Sequence, residues 1–287
     1  MYDLHRLRLL RELSHRGTLA AVADALGYSP SAVSRQLGIL EREVGMSLLE
    51  PAGRGVRLTP AARTLVVRTE RIVRELEQAE AEIAGMRTDL VGVIRVATFQ
   101  TAAHGLVLDT IARLQRNHPR LTVEFTHLEA EATVPALLAR DFDLVLSEQY
   151  PGNPPVPHPG VMMSTLAEDP LLLAIPTAWD AKSLKDLAEA PWVMEPPHTA
   201  PRTWTAAACR AAGFEPDVRF ETADLSLHTA IVSKGLAAAF LPMLAQNPSP
   251  HMRLLPTGEH RTITLAIRAG SDSNPALQAF TTTIRSL

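Results

Sequence analysis

The chain has 287 residues, of which 46% are apolar and 21% charged, with a net charge of −3. Such a composition excludes a chain disordered throughout, and the length predicts two or three folding units. No apolar run reaches the roughly 18 residues that span a bilayer, and Met1 to Arg6 lack the apolar stretch of a secretory leader. The expectation is a cytoplasmic protein without membrane contact. Cys209 is the single cysteine, so an intrachain disulfide is excluded and a cysteine-based zinc site disfavoured; on a helix it reads as a small half-buried apolar residue.

The net charge hides an asymmetry. Residues 1–63 carry nine arginines against six acids, a balance of +3, and the remainder balances at −6. A basic head on an acidic body suits a head that meets a polyanion. All three lysines (182, 185 and 234) lie in the body, so the cations of the head are guanidinium groups, which fork onto phosphates and guanine edges.

Leu4, Leu7, Leu9, Leu10 and Leu13 form a helical apolar stripe that ends near Gly17. Thr18 suits the N-cap of a second helix with the face Leu19, Val22, Ala23 and Leu26, stopped by Gly27. After the turn Gly27-Tyr28-Ser29, Pro30 suits the first position of a third helix, with Ser29 as cap and Val33, Leu37, Leu40 and Val44 as apolar face. Two short helices joined by a glycine-containing turn form a helix-turn-helix, whose second helix offers its N-terminal residues to base edges. Those residues are Pro30, Ser31, Ser34 and Arg35. An ordinary helical hairpin with a solvated polar face has the same periodicity.

Leu48 to Pro60 reads as a β-hairpin with a Gly/Arg tip at Gly53-Arg54-Gly55. The two glycines are no dinucleotide fingerprint, because no third glycine and no βαβ unit accompany them, and no cofactor is expected. Thr59 caps a long helix running to about Arg87. Its residues Ile72, Leu76, Ala79, Ile83 and Met86 have the 4, 3, 4, 3 spacing of a coiled coil. This predicts a dimerising helix, the alternative being one amphipathic helix packed on its own domain. A two-fold dimer would read an interrupted inverted repeat in double-stranded DNA.

The segment from Ala21 to Gly45, followed by Leu58-Thr-Pro-Ala-Ala62, resembles the signature of LysR-type transcriptional regulators. The order of elements along the chain is similar too. The resemblance implies a winged helix-turn-helix over residues 1–59, a linker helix over 60–90 and an effector-binding domain over 91–287. By the same resemblance Thr18, Ser31, Ser34 and Arg35 face DNA, and Arg54 sits on the wing. The pattern departs from the common one at Pro30 (often Gln), at Pro51 (usually Arg) and at Ala62 (commonly Gly).

Beyond residue 90, strand and helix patterns alternate. Strands are expected at Val91–Ala97, 121–126, 143–147, 171–175, 192–195, 218–222, 237–241 and 262–268. Helices are expected at 104–118, 132–140, 183–190, 202–212, 225–235 and 275–287. This order implies a doubly wound, mainly parallel α/β sheet, interrupted by Pro151 to Pro159, where five prolines in nine residues forbid regular structure. It resembles the effector domain of the same family, with the fold of periplasmic binding proteins: two α/β subdomains, at about 92–160 plus 268–287 and about 161–267. Ligands of such sheets sit outside the carboxyl ends of strands. The candidate loops hold Thr98, Gln100 and Thr101; His127 and Glu129; Glu195, His198 and Thr199; and Asp224. Two of them lead into helix N-termini, which attract anions. A carboxylate is one effector class expected on that ground, though neither the histidines nor the arginines here fix the effector; acids, amino acids and similar metabolites are common in the family. The resemblance further implies a homodimer or homotetramer and RNA polymerase as a partner.

Two other classes share part of this pattern. An enzyme would show a chemical motif, and no Gly-x-Ser-x-Gly, Walker A or His-Glu-x-x-His sequence occurs; the ten histidines are scattered, with no pair at metal-ligand spacing. A solute-binding protein would share the C-terminal pattern but not the basic head.

Overall fold

The computed structural model of the chain describes residues 1–53, 55–86, 89–128, 130–153, 157–158, 160–245 and 249–287. Its N-terminal unit packs α1 (Leu4–Arg16), α2 (Leu19–Leu26) and α3 (Pro30–Val44) around Leu10, Leu13, Val22, Val33, Leu37 and Leu40. Each helix starts on a side-chain cap, from Asp3, Thr18 and Ser29. Each stops at a glycine with positive φ: Gly17, Gly27 and Gly45. β1 (Leu49–Ala52) and β2 (Gly55–Leu58) then pair antiparallel, Glu50 opposite Arg57, which is the wing predicted from the Gly/Arg tip.

Thr59 caps α4 (Pro60–Gly85), a helix of 26 residues. One of its faces, through Val66, Val73, Glu77 and Ala81, is buried against the rest of the chain. The predicted coiled-coil stripe lies on another face: Ile72, Ile83 and Met86 are exposed. The helix approaches the C-terminal domain so closely at Gly270 (φ 97°) that a Cβ there would lie 2.5 Å from the backbone oxygen of Arg74.

The C-terminal domain begins with β3 (Gly92–Thr98), which pairs in parallel with β4 (Leu121–His127) and with β5 (Leu144–Gln149). Between β3 and β4 runs one continuous helix: α5 (Gln100–Ala102), a π-wound stretch Ala103–Val107, and α6 (Leu108–Asn117). α7 (Ala130–Leu138) leads to β5. The second subdomain holds β7 (Pro191–Met194) parallel to β8 (Asp217–Glu221), α8 (Ala200–Ala211), α9 (Leu225–Ser233) and β9 (Ala239–Pro242). α10 (Pro275–Arg285) returns to the first subdomain and buries Leu277, Phe280 and Ile284.

Two long strands, β6 (Val161–Pro176) and β10 (Met252–Arg268), run antiparallel through both subdomains. The six-stranded order is β4-β3-β5-β10-β6-β9. This differs from the expected division, which ended the first subdomain at 160 and began its return at 268. Thr262–Ile267 pair with β5, and Val161–Glu168 pair with that same half of β10. The crossing therefore lies near Asp169 and Arg261, and both strands are far longer than their apolar cores suggest. The helix expected at 183–190 is only a 3-10 turn, Leu184–Leu187.

Candidate functional site

The head presents the N-terminus of α3 to solvent. Thr18, Pro30, Ser31, Ser34 and Arg35 are all exposed, opposite buried Val33 and Leu37. The Thr18 hydroxyl accepts the Ala21 N–H at 3.1 Å, so its own proton is available to a phosphate oxygen. Ser29 caps α3 through the Ala32 N–H (3.2 Å) and lies 3.0 Å from the Ser31 hydroxyl. Arg35 enters no ion pair among the described residues. On the wing, exposed Arg57 pairs with Glu50 at 2.9 Å; Arg54 lies outside the described residues. Tyr28, an aromatic that carries no distinctive sequence signal, is exposed in the turn, edge-on to His5 at 5.9 Å.

At the crossing of β6 and β10 lies a buried polar cluster. The Arg261 guanidinium donates to Asp169 from Nε (2.9 Å) and Nη2 (2.7 Å), to Thr101 Oγ1 (2.6 Å), and to Glu148. It also lies 5.2 Å from the centre of the Phe99 ring. Burial works against its charge, but Tyr150, Glu148 and Asp169 outweigh that and hold its pKa above the usual value. Tyr150 is buried beside it, its phenol pushed well up by desolvation and by Glu148.

Glu148, Tyr150 and Phe99 of this cluster line a cavity of about 420 Å³ between the subdomains, together with Glu195, His198 and Leu225, while Arg261 and Asp169 stand behind them. Glu195 is only 9% exposed, and burial, with Glu148 nearby, raises its carboxyl to about 7. A second cavity of about 240 Å³ adjoins it, lined by Gln100, Thr101, His104 and Leu225. Gln100 closes the rim between the two subdomains, donating to Asp224 Oδ1 at 3.2 Å. The π-wound turn holding His104 shapes this wall, and such turns recur at functional sites.

The structure thus brings together Gln100, Thr101, Glu195, His198 and Thr199, five of the seven residues expected at the effector site. Thr199 has two roles, capping α8 through the Arg202 N–H (3.4 Å) and lining the cavity. Thr98 does not line either cavity: it is fully buried, its hydroxyl spent on the Phe99 carbonyl. His127 is exposed at the end of β4, and because β4 is the outer strand of the sheet it stands away from the cleft. Glu129 lies outside the described residues. Glu148 is legible in the sequence only as an isolated acid that could join a carboxylate pair; Arg261, Asp169 and Tyr150 carry no sequence signal, for a lone polar residue in a strand pattern gives no sign of its partner.

Head, linker and effector domain are joined by ion pairs on the inner face of α4. Glu77 meets Arg268 (2.8 Å) and Arg140 (2.6 Å); Glu70 meets Arg11 (2.9 Å) and His15 (3.1 Å). Histidines that look scattered in the sequence converge here. His15, Glu70 and His158 each offer a ligand atom within 4.8 Å of the others, a set that could hold a metal ion. Arg11 and His15 already share one oxygen of Glu70, however, and a guanidinium beside that oxygen opposes a dication. Burial and His15 push the His158 pKa down. Cys209 is buried in an apolar cluster with Trp192 and Phe240. Burial pushes its thiol up to about 12, the reverse of what a redox-sensing thiolate needs.

The comparisons agree with this anatomy. The family profile for the LysR substrate binding domain matches residues 87–287, and that for the lysR-family bacterial regulatory helix-turn-helix protein matches residues 4–63. The transcriptional dual regulator GltC of Bacillus subtilis is 24% identical over 245 residues, covering 84% of this chain and 80% of GltC. The regulator TcbR of a Pseudomonas species (strain P51) is 26% identical over 248 residues, covering 84% and 82%. Among solved structures, a full-length OxyR variant from Pseudomonas aeruginosa is similar with a TM-score of 0.67 at 19% identity, covering 99% of this chain and 95% of that one. CbnR is similar with a TM-score of 0.55 at 24% identity, covering 98% and 99%; these likenesses show the fold. With a helix-turn-helix head and an effector-binding domain of two α/β subdomains, the chain belongs to the LysR family of transcriptional regulators.

Proposed function

We propose that the chain is a non-catalytic, cytoplasmic regulator that binds an interrupted inverted repeat as a homodimer or homotetramer, and that a small molecule in the cleft between the subdomains controls it. The observation that carries this reading is the exposed N-terminus of α3 in the same chain as a cleft between two subdomains with polar groups at its floor. Thr18, Pro30, Ser31, Ser34 and Arg35 are its DNA-facing residues, with Arg54 on the wing. A solved complex of CbnR with its target DNA, similar to this chain with a TM-score of 0.54 at 23% identity, supports the docking of such a head on a duplex.

Dimer formation is supported by the apolar stripe of α4, where Ile72, Ile83 and Met86 face solvent. A second interface, as a tetramer requires, is supported by the outer edge of β6, where Val161–Glu168 pair on one side only among the described residues. No described helix is long and apolar enough to cross a membrane. RNA polymerase is the natural further partner of a DNA-bound regulator. Control is a population shift: an effector that binds one arrangement of the subdomains better moves β6 and β10. Arg268, at the end of β10, grips Glu77 of α4 and passes the change to the head.

The test is Arg35→Ala in a DNA-binding titration. A base-reading arginine loses about 1–3 kcal/mol on the cognate site and little on random DNA. An unchanged affinity on the cognate site would remove α3 as the reading helix.

A further inference from the structure

The charges of the cleft run against the expected carboxylate effector. Three carboxylates, Glu148, Asp169 and Glu195, surround one guanidinium, that of Arg261. Asp169 accepts from Nε and Nη2, and Thr101 accepts from Nη2 as well. Glu148 accepts from the remaining nitrogen. Among the described residues lining the larger cavity there is neither lysine nor arginine, and His198 is the one basic side chain. Arg202 stands behind the wall, donating to the Glu195 carbonyl (2.9 Å) and facing Glu221 (3.6 Å).

The Glu195 side chain is nine-tenths buried, and no cationic group lies within 4.0 Å of its carboxylate among the described residues. A carboxylate held out of water without a counter-charge is costly. Two of the helix N-termini around the cleft are also taken, while the one at Gln100 carries no side-chain cap. Asp224 occupies that of α9, accepting the Ser226 N–H at 2.9 Å, and Thr199 and Pro201 occupy that of α8.

Taking the cleft as the effector site, as proposed above, we propose that its ligand is an organic cation, an amine or amidine on an apolar body. The charged head sits between Glu148 and Glu195, and the apolar part lies against Phe99, Pro196, Pro197 and Leu225. Because Glu195 holds its proton up to about pH 7 in the empty cleft, binding of the cation releases that proton. Glu148, Arg261, Tyr150, Arg202 and His198 are the titratable or charged groups around it; burial and Glu148 favour its protonation, while a backbone hydrogen bond, and less strongly Arg261 and Arg202, oppose it.

The test uses the full chain, with phenethylamine and benzamidine as probes and phenylacetate and 2-phenylethanol as controls of matched shape. Thermal midpoints and calorimetric affinities are read for the unaltered protein, Glu195→Gln and the cleft-filling Ala223→Trp. The amine and the amidine raise the midpoint and the controls do not. Glu195→Gln, which should fold at least as stably, weakens amine binding by roughly 30-fold or more. Calorimetry in buffers of different ionisation heat shows proton release at pH 6.5 in the unaltered protein and none in the variant.

Stabilisation by phenylacetate alone, or by neither amine nor amidine, overturns the proposal. Amine binding that survives Glu195→Gln but is lost in Ala223→Trp keeps the cleft and removes the charge assignment. Binding that survives both places the site elsewhere, and the cleft reading itself then fails.

Discussion

Arg261 and Asp169 face each other across β10 and β6 at the point where both strands pass from one subdomain to the other, joined by hydrogen bonds of 2.9 and 2.7 Å from Nε and Nη2 to one carboxylate oxygen. Asp169 also accepts the Leu244 N–H at 3.0 Å through its other oxygen. The pair ties the cavity floor to the crossing strands, so a ligand touching Glu148 acts directly on the pivot. Removing one member of a buried pair leaves the other charge uncompensated. Asp169→Leu should therefore cost about 3–5 kcal/mol in urea unfolding, and adding Arg261→Met should recover most of it. A single-variant loss below about 1 kcal/mol would mean that Glu148 alone satisfies the guanidinium.

The exposed stripe of α4 predicts a concentration-dependent assembly. Ile83 is 61% exposed, so aspartate there costs the isolated chain little but places a charge in a coiled-coil seam. Sedimentation should find Ile83→Asp shifted to monomer with secondary structure unchanged. A dimer as tight as that of the unaltered chain would move the interface off α4.

Glu195 gives stability a pH dependence with a definite sign. Its folded pKa is about 7 against an ordinary 4.5, so between these values the folded chain keeps a proton that the unfolded chain has released. The associated stability is fully present below pH 4.5 and is lost as pH rises through 7, an amount on the order of 3 kcal/mol. Glutamine does not titrate. The Glu195→Gln midpoint should accordingly gain on that of the unaltered protein steadily between pH 5 and 8; a constant gap across that range would mean Glu195 is not desolvated.

Gly270→Ala tests the seat of the linker helix. At φ 97° an L-residue is strained, and the added carbon would lie 2.5 Å from a backbone oxygen of α4, which no rotamer change relieves. A loss of about 2 kcal/mol or more is expected in urea unfolding. Unaltered unfolding would show that α4 does not rest on this loop.

The head was legible because its boundaries are written locally: Thr18, Ser29 and Thr59 cap helices, and Gly17 and Gly27 end them. The lengths of β6 and β10 were not, since their outer halves carry mixed polar residues and only pairing shows them as strands. The same holds for the cleft. Gln100, Glu195 and Thr199 follow strands and could be placed by fold logic, whereas Arg261 and Asp169, 92 residues apart, meet only through strand register. His127 follows a strand as well, but strand order sets β4 at the outside of the sheet, and order cannot be read from periodicity.

The most direct measurement of the central claim is fluorescence anisotropy of the purified full chain on the duplex upstream of its own gene, beside a scrambled duplex, through a salt series. The account predicts sequence-selective binding that weakens steeply with salt as guanidinium–phosphate contacts are screened, and loss of that selectivity in Arg35→Ala. Equal affinity for native and scrambled DNA at every salt concentration would contradict it.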